Sequence, residues 1–320
     1  MQNPLVSISC TTYNHEPYIR QCLDGFLMQQ CDFEFEIVIH DDASTDETQE
    51  IIKEYQKKFP DIIKPIFQTE NQYSKTGSGI MARYNFPRAQ GKYIALCEGD
   101  DYWTDPLKLQ KQVDILEKNT NIDICSHASF KNIKDIQTDK LIGYWGESKR
   151  FFSFEEVIMN FAATAPLHSI LIRNKNIELI RDIVTVSLGG HSMTQILYSY
   201  PNGLIYLPDR MSVYRVGSQS SISKILFKND KDFLKRQLKN FRGLDVLSKF
   251  VDPKHHHLIR KTKRKQAIGW ISTGYTTTPQ NIMLILKYDL YKNSRSLVNC
   301  LLKVYKSKAK RFVKRLIMKK

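Results

Sequence analysis

The hydrophobic positions of the first 120 residues change repeatedly between two periods. Three short apolar runs are each followed by a segment whose apolar residues have helical spacing. In the first predicted helix these residues are Ile19, Cys22, Leu23, Phe26 and Leu27. The short runs themselves predict buried strands at 5–11, 35–39, 63–67 and 93–96. Further helices are predicted at 47–58 and 106–118. Strands that alternate with helices at this spacing are typical of βαβ units, so an α/β fold with a mainly parallel sheet is predicted.

The second half of the chain has a weaker pattern. One strand is predicted at 122–126, and the apolar run at 204–214 predicts one or two more beyond an irregular region. From residue 224 onward the spacing becomes helical, with a basic helix predicted at 230–250 and a terminal helix at 294–318. A chain of 320 residues is long enough for one large domain with a smaller additional region, or for two domains of modest size.

Charge divides the chain more sharply than hydropathy does. Residues 1–223 carry 22 Lys and Arg against 28 Asp and Glu, whereas residues 224–320 carry 26 against 5. The net charge of +15 therefore comes from the tail. A basic tail of this kind indicates a polyanionic neighbour, either an anionic membrane or nucleic acid.

Two sequence features bear on the cellular compartment. The longest late apolar run, at 282–286, is far shorter than the roughly 20 residues that cross a bilayer, and the first ten residues lack the segments of a signal peptide. We therefore expect neither export by that route nor a transmembrane span. The six cysteines contain no CxxC pair and are predicted to be reduced core residues of a cytoplasmic protein.

The most informative segment joins the fourth predicted strand to two adjacent carboxylates, Asp100 and Asp101. Neighbouring carboxylates repel each other, so a pair kept at a strand end is typical of a site for a divalent cation. A solvated turn before a helix is the alternative interpretation. It applies to Asp105, because Pro106 is typical of the first helical position and makes Asp105 a helix cap.

Polar loops follow three of the predicted strands, at 11–14, 41–44 and 98–101. Ligands of parallel sheets bind beyond the carboxyl ends of the strands, where these loops lie. Their sequences, Thr-Thr-Tyr-Asn, Asp-Asp-Ala-Ser and Glu-Gly-Asp-Asp, resemble in order and spacing the nucleotide-sugar domain of family 2 glycosyltransferases with the GT-A fold. The resemblance runs from about residue 5 to 117 and continues more weakly to about 221.

This resemblance implies a particular division of the chain. A GT-A domain with a Rossmann-like, mainly parallel sheet flanked by helices would occupy 1–223, with a donor half at about 1–118 and an acceptor half at about 119–223. A basic, mostly helical region at 224–320 would form a C-terminal extension.

The resemblance further implies that a UDP-sugar donor binds at the first two loops. Asp42 would accept a hydrogen bond from the uracil imide, which cytosine lacks, while Thr11 and Tyr13 flank the nucleoside. Base discrimination would follow because the wrong base leaves a buried carboxylate unpaired. The alternatives are local: Asp42 belongs to a polar turn before the next helix, and the ring of Tyr13 packs on the helix that follows it.

At the third loop, the resemblance assigns Asp101 to a divalent metal, Mn²⁺ or Mg²⁺, and Asp100 to the ribose or the outer shell of that metal. The cation would act as a Lewis acid on the leaving diphosphate. Arg83, with Arg88 nearby, would add positive charge there; the alternative is a solvated helix charge. Two further aromatic residues, Tyr102 and Trp103, would form a platform for the acceptor sugar, and burial under the next helix is the alternative.

Family 2 enzymes invert the anomeric carbon in one displacement, in which a general base takes the proton of the acceptor hydroxyl. Where the family usually has Asp or Glu, this chain has His191, within Gly-Gly-His-Ser-Met. A neutral imidazole is a suitable base near neutral pH; the alternative is a helix-start histidine without a part in catalysis. Many relatives also have a histidine near the position of Gly217, so metal ligation from that side lacks its usual residue.

The terminal predicted helix combines one apolar stripe with a wholly basic polar face, and no acidic residue follows Asp289. We expect this helix to lie on an anionic membrane; packing on its own domain and binding to nucleic acid are the alternatives. The chain is thus predicted to be an inverting, metal-dependent glycosyltransferase at the cytoplasmic face of the plasma membrane, with a glycan or lipid-linked acceptor and no nucleic-acid partner. Its pathway would be surface polysaccharide or lipopolysaccharide assembly.

Two other classes of protein remain as alternatives. A catalytically silent binder of nucleotide-sugar or glycan is the first, because His191 stands where an acid is usual. A nucleic-acid-binding protein is the second, and the basic tail alone supports it.

Overall fold

The structure is a computed structural model that describes residues 3–133, 136–161, 163–218 and 230–273. Ten strands form one sheet: β1 (Val6–Thr12), β2 (Phe35–Asp41), β3 (Ile63–Phe67), β4 (Tyr93–Glu98), β5 (Tyr102–Trp103), β6 (Ile124–Ile133), β7 (Ile136–Ile142), β8 (Arg150–Phe152), β9 (Leu171–Arg173) and β10 (Leu204–Val216). The α-helices are α1 (Ile19–Leu27), α2 (Thr48–Lys58), α3 (Gln72–Thr76), α4 (Lys108–Glu117), α5 (Phe154–Asn160), α6 (Ile177–Val186), α7 (Gly190–Tyr198), α8 (Asp230–Ser248) and α9 (His256–Thr273). A π-helical turn at Met81–Asn85 and 3-10 turns at Phe86–Arg88, Leu167–Ser169 and Pro253–His255 complete the described elements.

The sheet has the order β3-β2-β1-β4-β9-β6-β10-β5, with β7 beside β6 and β8 beside β10. Strands β1 to β4 pair in parallel, so their carboxyl ends meet at one edge. The remaining strands form a mixed half, in which β9 lies antiparallel to β4 and β6 while β10 runs parallel to β6. The predicted α/β architecture is confirmed. The antiparallel strand pairs lie in the second half of the chain, where the sequence pattern is weaker.

Most predicted elements are confirmed within two or three residues, because each has a periodic apolar face that the sheet buries. In α1 the predicted residues Ile19, Cys22, Leu23 and Phe26 are all buried. The run at 204–214 forms one long strand, β10, whose pairing with β6 shifts register on both sides of Arg210. The predicted N-cap at Asp105 is wrong by two residues: α4 begins at Lys108 with Leu107 at its N-cap, and Oδ1 of Asp105 accepts the backbone N–H of Leu107 at 2.8 Å in the turn before the helix.

The sheet separates two hydrophobic clusters. Helices α1, α2 and α4 contribute to one cluster, and α5, α6 and α7 to the other. Helices α8 and α9 also pack into the second cluster, through Leu238, Phe241, Leu244, Leu258 and Ile259. The described part of the C-terminal region is therefore packed on the sheet domain, and the division at 223–224 stays a prediction.

Several tail predictions fall on residues that the structure does not describe. The terminal helix at 294–318 and Cys300 lie outside the described residues. Within the described residues, Cys10, Cys22, Cys31, Cys97 and Cys125 are free thiols. None of the helices found there combines the length and the apolar character that a membrane span needs.

Candidate active site

The loops after β1, β2 and β4 meet at the carboxyl edge of the parallel strands. The backbone carbonyl of Thr11 accepts the N–H of Gly99 at 2.8 Å, and the carbonyl of Thr12 accepts the N–H of Asp42 at 2.9 Å. A Cβ on Gly99 would lie 3.0 Å from both the Thr12 Cβ and the His15 Nδ1, so glycine permits this close approach. The structure thus brings together the three loops singled out in the sequence.

Side chains fasten the first two loops to each other. The hydroxyl of Ser44 accepts the N–H of Asn14 at 2.9 Å, and Oδ1 of Asn14 accepts the N–H of Thr45 at 2.8 Å. Asn14 and Ala43 both have left-handed backbone conformations, with φ of 53° and 63°. Such a conformation costs an alanine of order 1 kcal/mol, and these cross-links hold it in place. Tyr13 projects from this loop pair with 37% of its surface exposed.

Asp42 lies under the site rather than on its surface, with 4% of its area exposed. Its Oδ1 accepts the backbone N–H of Gln72 at 2.7 Å, and its Oδ2 accepts that of Tyr73 at 2.9 Å, at the start of α3. The helix-capping alternative therefore describes these contacts, although α3 is not the next helix along the chain. Each carboxylate oxygen can accept a second hydrogen bond, so the role of Asp42 toward a nucleobase stays a prediction.

Three carboxylates converge after β4: Glu98, Asp100 and Asp101 each present an oxygen within 4.8 Å of the others. Burial, together with the neighbouring Asp100 and Asp101, raises the pKa of Glu98 to about 8. Burial and the charge of Asp100 also raise the pKa of Asp101 well above its usual range. The hydroxyl of Ser218 donates to Oδ2 of Asp100 at 2.6 Å. Repulsion among the three carboxylates contributes to both of these raised pKa values, and a nearby cation would relieve it.

Asp101 is almost fully buried, and its two oxygens have different surroundings. Its Oδ1 accepts the backbone N–H of Arg215 at 2.8 Å. Its Oδ2 lies 2.8 Å from Nδ1 of His168, but the two atoms do not meet in hydrogen-bond geometry, and neither has a hydrogen-bond partner among the described residues. A buried carboxylate oxygen without a donor, close to two more carboxylates, fits a hard cation with oxygen ligands.

His168 lies beneath the acidic cluster and is also buried. Its ring stacks on Tyr214, with ring centroids 5.6 Å apart, and burial lowers its pKa to about 3. It is therefore neutral at physiological pH, so the pair with Asp101 is not an ion pair of two charges.

The sequence did not assign Glu98, His168 or Arg215 to the site. Glu98 carried a signal, because it stands in the same loop as the acidic pair. His168 and Arg215 are 67 and 114 residues away from Asp101 along the chain. The pairing of β10 with β5 and β6 brings Arg215 close, and His168 lies in the 3-10 turn before β9, which pairs with β4 and β6. The segment noted for lacking a histidine near Gly217 nevertheless contacts the cluster through Arg215 and Ser218.

The two aromatic residues after the acidic pair are buried in β5. Trp103 is 2% exposed, packs on Phe26 at 4.6 Å between ring centroids, and has Lys108 Nζ 3.8 Å from its ring centroid. Its Nε1 donates to the carbonyl of His168 at 3.0 Å. These contacts favour the burial alternative for Trp103 over sugar stacking. Tyr102, 7% exposed, lines an open cleft, so its role toward an acceptor stays a prediction.

His191 and Arg83 are both engaged with backbone carbonyls. Nε2 of His191 lies 2.9 Å from the carbonyl oxygen of Ala165 and 2.7 Å from the amide nitrogen of Gln195. The first contact needs a proton on Nε2 and the second needs a lone pair there, so the two contacts together do not select a tautomer. Burial lowers the pKa of His191 to about 4, so its ring is neutral near pH 7. The guanidinium of Arg83 donates to the carbonyls of Ser78 and Val184, at 3.4 and 3.5 Å. Neither predicted role is tested by these contacts.

Comparison with known proteins identifies the family. The sequence profile of the family described as Glycosyl transferase family 2 matches residues 7–175, more than half of the chain. The chain therefore belongs to glycosyltransferase family 2, as the three loop motifs indicate.

Individual relatives match the first part of the chain. An uncharacterized protein of Mycobacterium tuberculosis is 46% identical over 124 residues, which cover 38% of this chain and 34% of the relative. The Bacillus subtilis protein TuaG, named as a teichuronic acid biosynthesis glycosyltransferase, is 34% identical over 113 residues, which cover 35% of this chain and 42% of the relative. The chain thus matches about a third to two fifths of the length of these relatives.

Solved structures share the fold along nearly the whole chain. The structure of S. aureus TarS 1–349 in complex with UDP has a TM-score of 0.60 at 16% identity and covers 95% of this chain and 91% of its own. The mannosyltransferase PcManGT from Pyrobaculum calidifontis, solved with GDP-Man and Mn²⁺, has a TM-score of 0.51 at 16% identity and covers 98% of this chain and 88% of its own. At such identity the likeness concerns the fold, and it confirms the predicted GT-A architecture.

Proposed function

We propose that this protein is an inverting, metal-dependent glycosyltransferase that moves a sugar from a UDP-sugar donor to a glycan or glycolipid acceptor. The observation that carries the proposal is the meeting of three loops around the carboxylates of Glu98, Asp100 and Asp101. A nucleoside diphosphate and a cation complement such a site in charge, because carboxylates alone would repel the diphosphate.

The donor nucleotide is proposed to lie between the first two loops, with Thr11 and Tyr13 beside the nucleoside and Asp42 beneath the base. Tyr13 is suitably exposed for stacking, and Asp42 is fixed by two backbone donors. UDP is the nucleotide proposed, because a fixed acceptor complements the imide N–H of uracil. Guanine also has a ring N–H, and PcManGT was solved with GDP-Man, so GDP is the necessary comparison.

Mn²⁺ or Mg²⁺ is proposed as the cofactor, held by Asp101 and by Asp100 directly or through water. When bound, such an ion neutralises the charge of the departing diphosphate. The chain's own contribution is to hold Asp101 in one orientation, through the Arg215 N–H, and to leave its Oδ2 without a competing donor. Arg83 is proposed to add positive potential toward the diphosphate, although its guanidinium also bonds two carbonyls.

His191 is proposed as the general base for the acceptor hydroxyl. Its Nε2 is engaged with the Ala165 carbonyl and the Gln195 amide, so Nδ1 is the ring atom left for the acceptor, and a base at Nδ1 requires the tautomer with the proton on Nε2. Its lowered pKa keeps the ring unprotonated but weakens it as a base. A silent binder therefore remains the alternative function, favoured by the same observation.

The cellular setting belongs to the same proposal. Surface polysaccharide or lipopolysaccharide assembly at the inner face of the plasma membrane is supported by the basic tail at 224–320 and by the name of the relative TuaG. Elongation of a lipid-linked acceptor requires access to the bilayer surface, and a basic amphipathic tail provides attraction to anionic lipids. A nucleic-acid partner is not expected.

Isothermal calorimetry with UDP tests the donor site, first with Mn²⁺ and then with EDTA, with GDP and CDP as comparisons. We expect metal-dependent binding that is strongest for UDP, followed by sugar release from one member of a panel of UDP-sugars. Absence of binding to all three nucleotides would contradict the assignment of Asp42 and Asp101. Donor binding without turnover on any acceptor fraction would favour the silent binder.

Sedimentation with vesicles tests the proposed membrane partner. The full chain should bind vesicles with anionic lipids, and a chain truncated after Leu290 should lose this binding while still binding UDP. Retention of duplex DNA with a steep salt dependence, without vesicle binding, would favour the nucleic-acid alternative.

A further inference from the structure

The open cleft that Tyr102 lines has a volume of about 440 Å³ and lies beside the acidic loop, on the side of α1 and the β6–β7 hairpin. We call it the Arg215 cleft; its polar lining comes from Tyr18, Gln21, Tyr102, Asn132, Gln137 and Arg215. Of these, only Tyr102 belongs to the residues proposed above for donor, metal or acceptor. The lining is dominated by amide, phenol and guanidinium groups, which suit a ligand rich in hydroxyl groups.

Arg215 is a buried cation beside the acidic cluster: its charge acts on Asp101, but its guanidinium forms no ion pair with a carboxylate of the described residues. Arg215 is 7% exposed, and no carboxylate oxygen of the described residues lies within 4.0 Å of its guanidinium nitrogens. The guanidinium donates to the carbonyl of Asp100 and to the amide oxygen of Gln21, both neutral acceptors. Buried charges are normally paired, because desolvation without a partner costs several kcal/mol.

The guanidinium is also fixed in position by two aromatic rings. Its central carbon lies 4.9 Å from the ring centroid of Tyr18 and 4.5 Å from that of Tyr102. Cation–π contacts of this kind stabilise the charge without neutralising it. Two of the five N–H groups of the guanidinium have protein acceptors, so the planar fork retains donors for a carboxylate or phosphate.

A second, independent polar group in the same cleft lacks a partner. Asn132 is 6% exposed, and its Oδ1 is buried with no hydrogen-bond partner among the described residues. An unpaired buried carbonyl costs about 1–3 kcal/mol, and a hydroxyl donor would satisfy it. The ligand that satisfies both groups carries an anion and a hydroxyl.

We propose that the Arg215 cleft binds an acceptor that carries an anionic group, a carboxylate or a phosphate, close to a sugar or polyol hydroxyl. The guanidinium of Arg215 donates hydrogen bonds to the anionic group, and Oδ1 of Asn132 accepts a hydrogen bond from the hydroxyl. The contact between Arg215 and the Asp100 carbonyl places this subsite directly against the acidic loop. The inference rests on the proposed transferase function, because it names the class of acceptor.

Saturation-transfer NMR titrations of the full chain with D-glucuronate, glycerol 1-phosphate and D-glucose test the inference. At least one anionic probe should bind, with glucose at least tenfold weaker. Glucuronate alone would identify a uronic acid acceptor, and glycerol phosphate alone a polyol phosphate acceptor. Equal binding of glucose, or binding of no anion, would overturn the proposal. UDP calorimetry on the same sample is a separate readout, so failure of the cleft and failure of the donor site are distinguishable.

Three variants test whether the anionic probe binds in the Arg215 cleft. R215Q should weaken anion binding at least tenfold, whereas R210Q, on the same strand but paired with Glu147 outside the cleft, should not. Because Arg215 is buried, Q137E provides a second test: residue 137 is exposed, and a carboxylate there should repel the anion without unfolding the protein. Unchanged anion affinity in both R215Q and Q137E would overturn the proposal.

Discussion

The backbone N–H of Arg215 donates a 2.8 Å hydrogen bond to Oδ1 of Asp101, and this bond joins the end of β10 to the acidic loop. It fixes the orientation of a carboxylate whose other oxygen has no donor among the described residues. Because the donor is a backbone group, no particular side chain at position 215 is needed to orient Asp101. The orientation of the proposed metal ligand therefore depends on the path of β10.

Asp101→Asn should abolish metal-dependent UDP binding while preserving the fold. Asparagine has the same shape and its Oδ1 still accepts the Arg215 N–H, but it removes the anionic ligand, so we expect about a 100-fold or larger loss of UDP affinity in Mn²⁺. The melting temperature should stay the same or rise, since a buried charge is removed. Calorimetry and a thermal melt measure both effects.

Asp105→Asn is the matched control for this variant. Asp105 lies four residues away in the turn before α4, where its carboxylate accepts the Leu107 N–H and pairs with Lys111, so its replacement should leave UDP affinity within about threefold of wild type. Equal losses in the two variants would show that the effect at Asp101 is not specific to the metal site.

Metal-free wild-type protein should become less stable relative to Glu98→Gln as the pH rises from 6.5 to 8. The pKa of Glu98 is about 8 in the folded protein against an ordinary 4.5, so the folded state keeps this proton where the unfolded state has lost it, and the contribution of Glu98 to the free energy of unfolding falls with pH. Lys108, whose pKa burial lowers to about 7, acts in the opposite direction in both proteins, so the comparison isolates Glu98. Buried histidines such as His40 and His191 have pKa values lowered to about 4, so they destabilise the fold only below about pH 6.5.

Thermal melts at the two pH values, with and without saturating Mn²⁺, measure this dependence. Mn²⁺ should raise the melting temperature more at pH 8, where the carboxylates are charged. Metal-free Glu98→Gln should gain melting temperature relative to the metal-free wild type as the pH rises. A difference between the two proteins that stays constant over this window would contradict the assignment of the proton to Glu98.

The sequence predicted the elements of the first 120 residues and the meeting of their polar loops well, because these loops follow short, strongly patterned strands. Thr11, Asp42 and Asp100 come within a few residues of strand ends, and parallel pairing brings such positions together in any sheet of this kind.

The same reasoning could not predict the mixed half of the sheet. The strands β5 and β9 have two and three residues, too short for a periodic signal, and β10 changes register twice along β6. The contacts of His168 and Arg215 with the acidic loop depend on these strands. The buried state of Trp103 has the same origin, because β5 pairs with β10 and α1 covers it; Gly25 leaves room, since a Cβ there would lie 2.8 Å from the Trp103 carbonyl oxygen.

Asp42→Asn should reduce the preference for UDP over CDP. If the carboxylate accepts the uracil imide N–H, an amide at this position loses the charge and one acceptor oxygen, and the ratio of UDP to CDP affinity should fall about tenfold or more. The change also weakens one of the two bonds to the Gln72 and Tyr73 N–H groups, at a cost of about 1–3 kcal/mol in unfolding free energy.

Asp41→Asn separates nucleotide recognition from loop stability. Asp41 accepts from Ser44 and Gln49 and thus stabilises the loop after β2, so its replacement should lower stability without changing the UDP to CDP ratio. A ratio that stays constant in Asp42→Asn would remove Asp42 from base recognition and leave it as the anchor of α3.

His191→Ala should lower sugar transfer about 100-fold or more while UDP affinity stays unchanged, because a general base acts on the acceptor and not on the nucleotide. In the wild-type protein, a base with a pKa of about 4 is unprotonated above that value, so the acidic limb of the transfer rate should lie near pH 4 rather than near 6.5. The measurement is a pH profile of transfer with the donor identified by calorimetry.

Gln195→Ala is a control for packing, since Gln195 contacts both His191 and the Ala165 carbonyl but cannot itself act as a base. If His191→Ala transfers sugar at the wild-type rate, the proton goes to another group, and His191 serves only to anchor the start of α7.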